Sequence, residues 1–152
     1  MSYLDEPEKT AECLSAKGWL RTGDVAYYDE DGYFFITDRI KEMIKVRGYQ
    51  VAPAELEALL LTHPNIRDAA VIPIQDDECG ELPRAYVVLK KDLSSSNFAH
   101  PTAQDIKEWI KERVAPMKRL DGGVIFIDEV PKSASGKILR RLLVDKARTE
   151  KS

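Results

Sequence analysis

Hydrophobic positions along the chain recur with a helical period in three segments. Apolar residues spaced three and four apart predict a helix that starts at Pro53 and a second helix that is capped by Thr102. A last helix follows, in which the leucines are expected to face inward and the cations to face solvent. The leucines are Leu139, Leu142 and Leu143, and the cations are Arg140, Arg141 and Lys146.

Three runs rich in valine, isoleucine and leucine predict the strands of one sheet, at 66–74, 84–90 and 124–127. The acidic segment 76–81 joins the first two runs, which we expect to form a hairpin. Residues 92–101, which contain three consecutive serines, are expected to be a surface loop. A three-stranded sheet with helices packed on one face is a small α+β fold.

An aromatic hairpin is predicted before this sheet, from Val25 to Ile36. Asp31-Gly32 supplies the positive φ that a tight turn needs, and aromatic residues flank it on both sides. We expect these aromatic side chains to pack in a core, because the basic groove of a base-stacking surface is missing.

The composition excludes several classes of protein. The chain has 152 residues, a net charge of −3 and 43% hydrophobic residues, which suits one ordinary globular domain and does not suit a nucleic-acid binder. Cys13 and Cys79 lack metal-binding spacing, and a reduced, cytoplasmic protein is expected. No apolar run approaches the roughly 18 residues of a membrane span.

Two charged segments are candidates for anion binding. Four cations lie within residues 39–47, and a loop of small residues at 131–137 ends in Gly136-Lys137. The loop is not a Walker A motif, because Ile138 follows the lysine. Solvated surface charge and ordinary loop punctuation are the alternatives for these two segments.

Together with a glycine-rich segment near the N-terminus, these segments resemble the C-terminal motifs of the adenylate-forming superfamily of acyl-CoA synthetases and firefly luciferase. The resemblance is strongest to 4-coumarate:CoA ligases and luciferase-like ligases, and it extends from about Gly18 to the last helix. The motifs are GWLRTGD at 18–24, DRIK at 38–41, GYQVAPAELE at 48–57 and PKSASGK at 131–137.

The resemblance implies that residues 1–38 are the tail of a large N-terminal adenylation domain and that residues 39–152 are the mobile C-terminal domain. It also implies an AMP-forming acid:CoA ligase, which adenylates a carboxylic acid with ATP and then transfers the acyl group to CoA. Mg²⁺ would be bound mainly by the N-terminal domain, and no metal site is assigned here. Some relatives carry a peroxisomal C-terminal signal, so a peroxisomal location is the alternative to a cytoplasmic one.

The family motifs also imply roles for individual residues. Lys137 would be the adenylation lysine, and Lys41 would be the hinge between two conformations. The ATP and AMP contacts would come from Asp24 and Arg39 on the ribose. In the second conformation Lys45 and Gln50 would serve the adenylate, while Arg47 and Gly48 would line the CoA side. The alternatives are that Asp24 and Gly48 are turn residues and that Arg39 and Lys45 are surface cations.

The chain has no phosphate loop and no acyl pocket, so we expect it to be inactive alone. Its partners would be its own N-terminal domain and small molecules, namely a carboxylic acid, ATP and CoA. Two other functions remain open at this point. One is a luciferase-like oxygenase that uses the same adenylation step, and the other is a standalone α+β binding module without catalysis.

Overall fold

The computed structural model describes residues 3–90 and 100–150. The chain divides into two compact units, Met1–Lys41 and Glu42–Ser152. This division lies three residues after the predicted boundary, which followed Asp38. Most of the predicted loop at 92–101 lies outside the described residues. No helix within the described ranges is long and apolar enough to cross a membrane.

The first unit contains helix α1 (Pro7–Cys13) and an antiparallel pair of strands, β1 (Asp24–Tyr28) and β2 (Phe34–Arg39). The turn between the strands is closed by the Gly32 N–H, which donates to the Asp29 carbonyl at 3.1 Å, and Gly32 has φ +84°. The predicted hairpin is therefore confirmed.

The prediction that the hairpin aromatics are core residues is wrong for this chain. Exposed fractions of their side chains run from 44% for Phe35 to 77% for Phe34. Tyr27 stacks on Phe35 across the strands, with 5.0 Å between ring centroids. Only Asp38 is buried among the described residues of this unit, so the unit itself has no apolar layer that would cover the rings.

The second unit is built on a five-stranded sheet. The three predicted strands are present as β5 (Ile66–Asp76), β6 (Gly80–Leu89) and β7 (Val124–Phe126). Strand β6 is central: it pairs antiparallel with β5 and parallel with β7. The α+β class is confirmed, and the sheet is wider than predicted by two short strands, β3 (Ile44–Val46) and β4 (Tyr49–Val51).

Helices cover both faces of this sheet, so the expectation of helices on one face is wrong. Helices α2 (Pro53–Leu61) and α3 (Ala103–Lys111) pack against one face, and α4 (Arg140–Thr149) packs against the other. Strands β5 and β6 are apolar on both faces, which suits a sheet that is buried on both sides. Val71 and Val87 belong to the α2 and α3 side, and Ile72 and Tyr86 belong to the α4 side.

The inward face of α4 also differs from the prediction. Leu143 is buried together with Ala147, whereas Leu142 is 54% exposed and Leu139 is 37% exposed. Because the helix begins at Arg140, its inward stripe follows positions 140, 143 and 147, which are three and four residues apart. Arg140 therefore lies on the buried side of the helix and not on its solvent side.

Candidate functional site

The two residues predicted to contact ribose lie together in the first unit. Asp24 and Arg39 are register partners of β1 and β2, and Arg39 Nε lies 3.4 Å from Asp24 Oδ1. The backbone N–H of Arg39 donates to the carboxylate of Asp38 at 2.7 Å. The arrangement offers a carboxylate acceptor beside an exposed guanidinium, which is suited to a diol next to negative charge.

Lys41, the predicted hinge, is the last residue of the first unit. It lies in a single turn of 3₁₀ helix, Ile40–Glu42, which separates β2 from β3. Its side chain makes no hydrogen bond or ion pair with the residues that the structure describes.

The β3–β4 hairpin holds four of the predicted site residues. Lys45 and Gln50 are register partners, so their side chains emerge on the same, exposed face of the hairpin. Ile44, Val46 and Val51 occupy the opposite face and are buried. The Lys45 N–H also donates to Glu81 at 2.8 Å, which ties β3 to the start of β6.

Arg47 and Gly48 form the two-residue turn of this hairpin. Their φ angles are +49° and +83°, as a type I′ turn requires at both central positions. Arg47 Nε donates to the Cys79 sulfur at 3.1 Å, and this hydrogen bond raises the pKa of Arg47 above its usual value. Gly48 is thus a turn glycine.

A cavity of about 390 Å³ lies beside this turn. Arg47 and Arg119 contribute cations to its lining, and Tyr49 and Met117 contribute apolar surface. Arg119 Nε is buried and has no hydrogen-bond partner among the described residues. The carboxylate of Asp121 also lines the cavity, and the two guanidinium groups still leave the lining with a net positive charge that suits an anion. Arg119 was not identified from the sequence, because no periodicity or motif marks it.

The loop that carries Lys137 is closed by its own hydrogen bonds. The Leu139 N–H donates to the Pro131 carbonyl at 2.8 Å, and the Ser133 N–H donates to the Lys137 carbonyl at 2.8 Å. Gly136 takes φ +81° at the turn. At the start of the loop, Lys132 Nζ lies 2.6 Å from Asp68 on β5, which fastens the loop to the sheet.

The side chain of Lys137 is 58% exposed, and its Nζ lies 3.7 Å from Glu42 Oε1. The other oxygen of Glu42 accepts from Arg140 Nη1. Arg140 Nη2 in turn contacts both oxygens of Glu57, at 3.0 and 2.8 Å. Glu57 is buried and also accepts from the Val71 N–H at 2.8 Å.

This network was missed at the sequence level, although periodicity carries a signal for it. Glu57 occupies the apolar stripe of α2 with Pro53, Leu56 and Leu60, at spacings of three and four residues. Arg140 occupies the inward stripe of α4. A charged residue on an apolar stripe is expected to have a partner, because an unpaired buried charge is strongly unfavourable.

The predicted site residues of the second unit thus form two clusters. One is the hairpin with Lys45, Arg47, Gly48 and Gln50, and the other is the loop with Lys137. Within the described ranges, no hydrogen bond or ion pair links Lys137 to the hairpin. No group of three histidine, cysteine, aspartate or glutamate side chains suited to a metal is found in the same part of the chain.

Comparison with known proteins identifies the family. The model of the AMP-binding enzyme C-terminal domain matches residues 55–137, a little over half of the chain. The chain is 54% identical over 142 residues to peroxisomal OPC-8:0-CoA ligase 1 of Arabidopsis thaliana, covering 93% of this chain and 25% of that protein. It is 52% identical over 139 residues to 4-coumarate–CoA ligase 2 of Nicotiana tabacum, covering 91% of this chain and 24% of that protein.

A solved structure agrees with this identification. The ATP-bound form of MatB from Rhodopseudomonas palustris superposes with a TM-score of 0.85 at 28% identity, covering 95% of this chain and 27% of that one. The chain belongs to the AMP-binding enzyme C-terminal domain family. The predicted resemblance to adenylate-forming enzymes of the 4-coumarate:CoA ligase type is confirmed. The chain spans about a quarter of the length of the curated relatives it matches.

Proposed function

We propose that this chain is the C-terminal part of an ATP-dependent, AMP-forming acid:CoA ligase. The observation that carries this proposal is that both lysine-bearing clusters belong to one compact unit, which begins directly after Lys41. Such an arrangement suits an enzyme that presents two different faces of one unit to the same pocket in turn.

In the first half-reaction, a carboxylate oxygen of the acid attacks the α-phosphorus of ATP and pyrophosphate leaves. Negative charge accumulates where the carboxylate meets the phosphate, and a preorganised cation there lowers the barrier. Lys137 supplies that cation in our proposal, because its ammonium is exposed and its loop is fastened at both ends. Asp24 accepts from the ribose hydroxyls, and Arg39 lies beside it.

In the second half-reaction, the CoA thiol attacks the carbonyl carbon of the acyl-adenylate and AMP leaves. Lys45 and Gln50 project together from the hairpin and are suited to contact the adenylate. The cavity beside Arg47 and Gly48 is suited to the anionic groups of CoA, with Arg119 as a second cation. Lys41 would change its backbone angles between the two half-reactions, and its place between the two compact units supports that role.

We infer that ATP and CoA are the cosubstrates and that the remaining partner is the rest of the ligase chain. Mg²⁺ would neutralise phosphate charge, and no residue of this chain is assigned to it. A cytoplasmic location, with a peroxisomal alternative, remains an expectation from the sequence. The acid itself is defined only by class, as a small-molecule carboxylic acid.

A chimera tests the proposal. The corresponding segment of the Arabidopsis OPC-8:0-CoA ligase 1 is replaced by this chain, and ATP–pyrophosphate exchange and acyl-CoA formation are measured. We expect both half-reactions in the chimera and neither from the 152 residues alone. A folded chimera that is inactive in both half-reactions, beside an active parent, would refute the ligase role and favour a non-catalytic binding module.

A further inference from the structure

We propose that Glu42 is a positioning residue for Lys137, which it holds through an ion-pair network anchored in the sheet. The contacts within the second unit carry this assignment. Its consequence for catalysis rests on the proposed ligase function, whereas the positioning itself does not.

The two oxygens of Glu42 serve two different cations. Oε2 accepts from Arg140 Nη1, and Oε1 faces Lys137 Nζ at 3.7 Å. The Glu42 side chain is 26% exposed and that of Arg140 is 17% exposed. Because Arg140 fixes the carboxylate in a largely water-shielded place, the free oxygen has a defined direction. That direction points toward the ammonium of Lys137.

The network continues from Arg140 into the core. Both oxygens of Glu57 contact Arg140 Nη2, and Glu57 also accepts from the Val71 N–H in strand β5. The guanidinium thus bridges two carboxylates with charge-assisted hydrogen bonds, Nη1 to Glu42 and Nη2 to Glu57, and such bonds are stronger than neutral ones. These contacts therefore connect the loop tip that carries Lys137 to strand β5 as well as to its own turn.

Glu42 is also the first residue of the second unit and the covalent neighbour of Lys41. Its bond to Arg140 fixes it to the same body that carries Lys137. A rotation confined to the backbone of Lys41 would then carry Glu42 and Lys137 together, and the distance between them would be kept. Glu42 is thus the first residue beyond the hinge that moves with the second unit, and it also positions Lys137.

Chemical acylation of the lysines in the 152-residue chain tests the contact. An amine held against a carboxylate is partly shielded from the reagent, so its acylation is slower. We expect Glu42→Gln to raise the acylation rate of Lys137 about threefold, in line with the modest strength of an exposed ion pair. The rates are read by mass spectrometry of peptides at low salt, with an N-hydroxysuccinimide ester as the probe.

Glu55→Gln is the matched control, because Glu55 pairs with a different lysine, Lys118, at 2.6 Å. It should raise the rate at Lys118 and leave Lys137 unchanged. An unchanged Lys137 rate in Glu42→Gln overturns the proposal. So does an equal rise at Lys45, Lys118 and Lys137, since that pattern reports general loosening of the fold.

The chimeric ligase tests the catalytic consequence. We expect Glu42→Gln to slow adenylation roughly tenfold, because small misplacement of a catalytic group is costly. Added to Lys137→Ala, it should cause no further loss of the residual rate. Independent, multiplying losses would show that Glu42 does not act through Lys137. If the chimera has no activity at all but the acylation result holds, the ligase role fails and the positioning contact stands.

Discussion

The Lys137 loop and the β3–β4 hairpin present a lysine to solvent by two different physical means. Each contains a glycine with positive φ, Gly136 at +81° and Gly48 at +83°. The loop is fastened by ion pairs, from Lys132 to Asp68 and from Arg140 to Glu57. The hairpin is fastened by its strand pairing and by apolar residues on its inner face. The place of Lys137 therefore depends more on ion pairs, and the place of Lys45 depends more on strand pairing and apolar packing.

The largest expected difference between the two segments is in catalysis. In the chimera, Lys137→Ala should slow adenylation about a thousandfold, because a preorganised cation is lost where charge develops. Thioester formation from supplied acyl-adenylate should survive. Lys45→Ala should instead slow thioester formation and spare adenylation. The two half-reactions are measured by pyrophosphate exchange and by single-turnover transfer to CoA. Equal slowing of both by Lys137→Ala would contradict the separation of roles.

Removal of the charge that fastens the loop should have the next largest effect. Arg140→Ala leaves Glu57 buried without its cation, and we expect a loss of about 3 kcal/mol in the free energy of unfolding. Urea denaturation of the 152-residue chain measures it. Arg141→Ala is the matched control, since Arg141 is 94% exposed on the same helix and should change stability little. Equal effects of the two variants would mean that the network does not fasten the loop.

The two glycines provide a matched pair with a smaller effect. A Cβ added at Gly48 or Gly136 would meet no atom within 4 Å, so the cost of alanine is that of the left-handed backbone alone. We expect Gly48→Ala and Gly136→Ala each to lose about 1 kcal/mol in urea denaturation. Asparagine should lose less at both sites. A much larger loss at one site would show that its turn carries strain or contacts beyond the backbone conformation.

Local chemistry in the sequence predicted much of the fold. Asp31-Gly32 specified the first hairpin, and Thr102 was correctly placed as a cap, since it forms a capping box with Asp105. The β3–β4 hairpin was missed because its turn has Arg47 where asparagine or aspartate usually signals positive φ. The strands are also only three residues each, too short for alternation to be read.

The candidate site was less predictable, because its contacts join distant parts of the chain. The family motifs pointed to Lys137 and Lys45, but the contacts that position each lysine are tertiary and are not visible in the sequence. Arg140 and Glu57 are 83 residues apart, and the leucine pattern of the last helix had placed Arg140 on the solvent face. The hairpin aromatics were misassigned for a related reason. The pattern of apolar residues in a hairpin shows which side chains share a face. It does not show whether another layer of the same chain covers that face.

The smallest effect we expect comes from protonation of His63. His63 lies in neither the Lys137 loop nor the β3–β4 hairpin, so it tests whether these two segments respond together. His63 is buried, its Nδ1 accepts from the Asn65 N–H at 3.2 Å, and its ring contacts Trp109 edge-on. Burial, and then the charges of Arg113 and Lys90, lower the pKa of His63 below its usual value. The unfolded chain therefore takes up the proton first. The stability that the neutral, buried His63 contributes is fully present above about pH 6.5. It is lost as the pH falls toward the lower pKa of His63 in the folded chain.

Thermal unfolding between pH 7.5 and pH 5 should therefore show a falling midpoint in the parent chain and a flatter profile in His63→Gln. His100→Gln is the control, because His100 is exposed and should leave the profile unchanged. Since His63 acts on the shared core, acid should loosen the Lys137 loop and the β3–β4 hairpin together, as amide exchange at the Gly136 and Gly48 positions would report. Loosening of one segment alone would mean that charge and apolar packing fasten two independent parts, and that the second unit does not respond as one body.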